Sequence, residues 1–146
     1  MERWKFNLDS VRQHRHTLEE RAAQQVGAAL RKLSDASDQA QILRSQLLVS
    51  SASYFPRENT TPEALLQLSE YSHAMQVKLT EAGIREESAR NNLEHARQEW
   101  HRSRTAKEAI DQLFAKKKQE HEVALLREEQ KLLDSFASNK SGGFHL

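Results

Sequence analysis

Residues 65–114 read LLQLSEYSHAMQVKLTEAGIREESARNNLEHARQEWHRSRTAKEAIDQLF. Fifteen positions in this stretch follow one another at an unbroken spacing of three, four, three, four. They are Leu65, Leu68, Ser72, Met75, Leu79, Ala82, Glu86, Ala89, Leu93, Ala96, Trp100, Ser103, Lys107, Ile110 and Phe114. Eleven of the fifteen are apolar. A spacing that averages about 3.5 residues keeps one seam of a helix turned toward a partner helix. No Gly or Pro interrupts the run except Gly83, which lies off the seam. The stretch predicts a long coiled-coil helix, which presents surfaces to partners and seldom builds a catalytic pocket.

A second run of the same kind lies upstream. Val26, Ala29, Leu33, Ala36, Ala40, Leu43 and Leu47 repeat the three-four spacing. Before them Val11, Leu18 and Ala22 continue an apolar pattern with a slip in phase near Val26, beside Gly27. Asp9 or Ser10 can cap the first turn of this helix. Between the runs, residues 50–61 read SSASYFPRENTT, rich in helix-breaking and turn-forming types, with Pro56 disfavouring helix at Phe55. Helix restarts at Thr61-Pro62-Glu63. Thr61 is a good cap, Pro62 suits the first helical position, and Glu63 complements the positive helix end.

The expectation is an all-α fold, a long two-helix antiparallel coiled-coil hairpin with the second helix overhanging the first. It forms a single coiled-coil domain over 1–146. Helix one covers about 9–52, the turn 53–61, helix two about 62–137, and residues 138–146 form a flexible tail. Folding about residues 57 to 58 sets Leu47 against Leu68, Ala40 against Met75, and Phe6 near Ile110. On that axis helix two runs unaccompanied from about Asp111. Yet Phe114, Val123, Leu125, Leu126, Leu132, Leu133 and Phe136 follow. An apolar stripe with no internal partner implies a partner molecule or a chain end folded back over it.

Composition agrees with a narrow seam rather than a globular core. Hydrophobic residues make up 37% of the 146 and charged residues 29%, with a mean hydropathy of -0.83. A globular domain has nearer half its residues apolar. The net charge of +1 excludes strong overall attraction to nucleic acid or acidic membranes. There is no Cys, so neither disulfides nor thiolate metal sites form. The longest apolar run, Val123 to Leu126, falls far short of the roughly 20 residues a membrane span needs. Residues 1–10 lack the apolar core of a secretory signal. The expectation is a soluble, cytoplasmic chain that does not insert in a membrane.

Chemistry-bearing motifs are scarce. Seven His contain no pair at the spacing of three or four that a helical metal clamp requires, and they read as solvated surface residues. No glycine-flanked serine or phosphate-binding loop occurs. The chain is read as non-enzymatic, with no catalytic, cofactor-binding or metal site and no cofactor. Lys116, Lys117 and Lys118 lie in a segment, 97–118, with seven basic residues against three acidic. A solvated helix face explains this cluster; so does a docking patch for an acidic protein surface. Nucleic acid is a poorer fit, because Glu120, Glu122, Glu128 and Glu129 follow directly. Glu86 and Lys107 sit on the seam, where a polar residue can fix register at some cost in stability. Tyr54, Phe55 and Tyr71 cluster near the expected turn, as plugs or as binding anchors.

The ends of the chain carry a resemblance. The opening Trp4-Lys5-Phe6-Asn7-Leu8-Asp9-Ser10-Val11-Arg12 looks like the aromatic-x-Leu-x-x-Val start of the FliJ family of flagellar export proteins. The segment from Glu122 through Gln130-Lys131-Leu132-Leu133-Asp134-Ser135-Phe136-Ala137 is similar to that family's C-terminal run, with Ser135 where an acidic residue is usual. The resemblance spans nearly the whole chain. It implies an antiparallel coiled coil like the central stalk of rotary ATP synthases. The implied partners are the hexameric export ATPase, the cytoplasmic domain of the membrane export gate, and export chaperones. The implied location is peripheral, at the inner face of the cell membrane. The resemblance places both termini at the ring; with the unpartnered stripe and the local basic excess, the expected ATPase-ring contacts are Phe6, Phe114, Lys116, Lys117, Lys118, Val123, Leu126, Leu133 and Phe136, while the residues matched to the family's export-gate contacts are Tyr71 and Met75. Alternatives are an injectisome stalk or a structural coiled-coil scaffold with no ATPase partner.

Overall fold

The computed structural model describes residues 4–52 and 61–142, with side chains over 4–50 and 61–140. Two helices account for nearly all of it: α1, Asp9–Ala52, and α2, Pro62–Gly142. The described residues form an all-α antiparallel hairpin. The expected turn, with Tyr54, Phe55 and Pro56, lies outside the described residues except for Thr61. There the cap forms as the sequence dictates: the Ala64 amide donates to Thr61 Oγ1 at 3.2 Å and the Leu65 amide to the Thr61 carbonyl at 3.1 Å. α2 runs five residues beyond Ala137, to Gly142. No Pro interrupts Ser138-Asn139-Lys140-Ser141, and Lys140 in the last turn complements the negative helix end.

Contacts group the chain into two compact units. The terminal unit comprises Met1–Glu19 and Arg102–Leu146; the central unit comprises Glu20–His101.

In the central unit, burial follows the three-four spacing of α2. From Leu68 to Trp100 every seam position is buried or half-buried, and off the seam only Gly83 and Glu99 are more than lightly covered. Leu65, the first of the fifteen, is exposed at 42%. The α1 seam from Val26 to Leu47 is likewise covered. The most deeply buried apolar residues here are Ala22, Ala40, Met75, Ala82 and Leu93. Three of those five are alanines, so the seam is thin, and no large side chain in the described residues is fully enclosed. Glu86 is buried, with 6% of its surface exposed. Its carboxylate accepts from Arg90 Nη2 at 2.7 Å on its own helix and lies 3.7 Å from Arg44 Nη2 on α1.

The phase slip expected near Val26 does not occur. Burial on α1 runs Arg12, Arg15, Glu19, Ala22, Val26, Ala29 without a break in the three-four spacing. The apolar Val11 and Leu18 are the exposed ones, at 36% and 39%. Charged side chains took the seam positions, so a reading based on apolar residues shifted to the wrong face. The expected register is corrected as well. Arg12 reaches Asp111, Arg44 reaches Glu86, and Phe6 meets Phe114, each partner further along α2 than a fold about 57 to 58 places it. The alanines discriminate weakly between registers, whereas these ion pairs hold one.

Candidate functional site

The terminal unit is built on a polar seam closed by an aromatic cluster. Asp111 Oδ1 accepts from Arg12 Nε at 2.9 Å and lies 2.7 Å from His16 Nε2. Both are charge-assisted contacts of the short, strong kind when the His is protonated. The hydrogen bond from His16, then that from Arg12, holds the Asp111 carboxyl below its ordinary value of 3.8. Arg15 Nη1 donates to the Ala106 carbonyl at 3.1 Å, and Lys107 Nζ lies 3.8 Å from Glu19 Oε2. Lys107 thus finds a cross-helix partner on the seam, as Glu86 does in the central unit. Ile110, at 3% exposure, is the one deeply buried apolar residue among these polar layers.

Beyond Asp111 the chain ahead of α1 folds over α2. The Trp4 ring lies 5.3 Å from Phe114 and 5.9 Å from His121, near-parallel to the latter at 28°. Phe6 meets Phe114 edge-on at 5.4 Å, and the Arg12 guanidinium sits 4.0 Å from the Phe114 ring centre. Offset and edge-on geometries, and a cation over a ring face, are the favourable arrangements for aromatic groups. The unaccompanied part of α2 therefore starts after His121 rather than at Asp111. His16 and His121, read from sequence as solvated, are contact residues. The sequence reading also missed Trp4, Arg12, Arg15, His16, Asp111 and His121. Extending the α1 seam backward from Val26 at the three-four spacing would have found Arg12, Arg15 and Glu19.

From Glu122 to Lys140 every residue is exposed. This segment contains Val123 at 39%, Leu126 at 65%, Leu133 at 63% and Phe136 at 67% exposure, with Leu125 and Leu132 beside them. The expected ring contacts therefore divide into two groups. Phe6 and Phe114 are engaged with each other, whereas among the described residues Val123, Leu126, Leu133 and Phe136 stay exposed, Val123 the least. Lys116, Lys117 and Lys118 are exposed, with Lys117 3.5 Å from Glu120.

The expected gate contacts, in the central unit, also separate. Tyr71 is 46% exposed and lines an open groove with Ser50, Leu68, Ser72, His73 and Gln76. Met75 is 5% exposed, so it belongs to the seam and meets no outside molecule unless the helices part.

No helix among the described residues is long and apolar enough to cross a membrane. No group of three potential metal-ligating side chains occurs among them.

No curated protein and no solved structure matches the chain. A family model does: that of the flagellar FliJ protein, over residues 5–142. The match runs from the aromatic segment that covers Phe114 to the last turn of α2. The chain belongs to the FliJ family of flagellar export-related proteins.

Proposed function

We propose that this protein is a non-catalytic stalk and adaptor of the flagellar export apparatus. It binds the export ATPase ring through the terminal unit and the membrane export gate through the surface around Tyr71. The observation that carries the reading is the bare segment of α2: residues 122–140 expose six large apolar side chains, all left exposed by the described residues. Exposed apolar surface of this kind marks an interaction site. The paired part of the terminal unit, rigidified by the Asp111 ion pairs and the aromatic cluster, acts as the mount that presents it. Escort of export chaperones fits the same extended surfaces.

The test is deletion of 122–146, which leaves Trp4, Phe114 and His121 in place. The truncated protein should keep its helical hairpin and fail to stimulate ATP hydrolysis by the purified export ATPase. Full stimulation by a folded truncated protein would refute the ring assignment. A scaffold with no ATPase partner would show no stimulation even by the intact chain.

A further inference from the structure

The apolar face of the bare segment does not continue the hairpin seam. Carried on from Phe114 at the same three-four spacing, the seam passes through Lys117, His121, Ala124, Glu128, Lys131 and Ser135. These are almost all polar, so α2 has no further apolar seam to offer a helix lying along the line of α1. At about 100° per residue, the centre of the exposed Leu and Phe face lies roughly a third of a turn away, with Val123 outside that face. Leu125 and Leu132 form one column, and Leu126 and Leu133 another. Phe136 lies between the columns, and so do Glu122 and Glu129. Arg127 and Lys131 point to other sides of the helix. Among the described residues neither Glu122 nor Glu129 has an ion-pair partner.

We infer that the bare segment of α2 docks through this rotated face onto an apolar partner surface carrying two basic side chains about one heptad apart, which meet Glu122 and Glu129. The inference rests on the ring-binding reading above and names the chemistry of the surface that takes the segment. Two carboxylates on the midline of an apolar face cost desolvation on docking unless cations meet them. That selects a basic partner surface. The Lys116–Lys118 cluster invites the opposite sign, but Lys117 already has Glu120 as its counter-ion, Lys116 and Lys117 lie off the face, and Lys118, in line with Leu125 and Leu132, stands at its paired end ahead of both carboxylates. A second copy laid parallel would set Glu129 against Glu129.

The experiment compares three forms of the full chain, each checked for unchanged helicity, in binding to the purified export ATPase at low and moderate salt. One is wild type, one carries Glu122→Lys with Glu129→Lys, and one carries Arg127→Glu with Lys131→Glu. The first pair should weaken binding at least about ten-fold, mostly through the dissociation rate, as for charges buried in an interface. The second should stay within about two-fold, in the range of rim charges. Equal losses from both pairs, or no loss from the first, would overturn the inference. If deleting 122–146 abolishes binding while Glu122→Lys with Glu129→Lys leaves it intact, the charge assignment alone fails. If the deletion itself binds normally, the ring reading fails with it. A wild-type dimer in sedimentation that Leu126→Asp splits would make the occupant a second copy and also overturn the inference.

Discussion

Replacing Glu86 by Leu should make the hairpin more stable and its register less certain. Glu86 is 6% exposed, on a seam whose neighbouring positions are mostly apolar. Its partners Arg44 and Arg90 are exposed at 55% and 59%, so solvent screens both pairs. Their joint loss costs about 1 kcal/mol, the upper range for surface pairs. Neither arginine is left as a buried orphan, because both heads already reach water. On the other side, a buried Leu contributes about 1 kcal/mol more than the two methylenes of the Glu stem, at roughly 0.8 kcal/mol per methylene. Removing a desolvated carboxylate relieves a further 1–3 kcal/mol, on the order of the gain seen when buried ion pairs become apolar. The net expectation is about 1–3 kcal/mol of stabilisation. Urea unfolding followed by circular dichroism measures it, read as a raised midpoint at constant slope. The second consequence is specificity, since a polar seam residue fixes register. Spin labels at the exposed positions Gln41 and Glu81 should report a broader distance distribution in the Leu variant. Destabilisation by more than about 1 kcal/mol, well beyond the value of screened pairs, would refute the reasoning and show that Glu86 contributes net stability to the fold.

Two further outcomes follow, one from the Asp111 contacts and one from the proposed gate surface. Asp111 is held below its ordinary value of 3.8 by His16 and Arg12, so its charged form favours the folded state. Its contribution is complete above 3.8 and disappears as pH falls through the lower folded value. Melting temperature across that acid range should therefore fall less steeply in Asp111→Asn than in wild type, and parallel curves would remove Asp111 from the acid response. Tyr71→Ala should weaken binding to the cytoplasmic domain of the export gate by at least about 1 kcal/mol with helicity unchanged, as measured by calorimetric titration. Undiminished affinity would exclude Tyr71 from that contact.

The hairpin was legible because its longest seam is written in apolar residues. From Leu68 to Phe114 the three-four spacing predicted the covered positions of α2, including the polar Glu86 and Lys107. Thr61 and Pro62 announced the start of α2 through the fixed chemistry of helix caps. What escaped on α1 was the part of the seam built from charged residues. Arg12, Arg15 and Glu19 occupy seam positions because Asp111, the Ala106 carbonyl and Lys107 satisfy them. Such pairs depend on which residues meet across the hairpin, not on a pattern along one helix. The register escaped for a related reason: alanines fit opposite many neighbours, so Ala40 gave no firm partner. Trp4 and His121 lie far apart in sequence, and only the folded terminal unit brings them together. The apolar residues of 122–140 were legible as an unpartnered stripe. Their rotation away from the seam was not, since it has meaning only once the seam's position is known.

The thin seam has a consequence for how the molecule gives way. With no fully enclosed large side chain among the described residues, and alanines at Ala22, Ala40 and Ala82, the hairpin has no keystone. Each layer leans on the layers directly before and after it, as in a stack of repeats, where stability is a sum of nearest-neighbour terms. Damage at one rung should therefore stay local. Such a fold can bend or unzip over a few turns while its distant turns hold their grip.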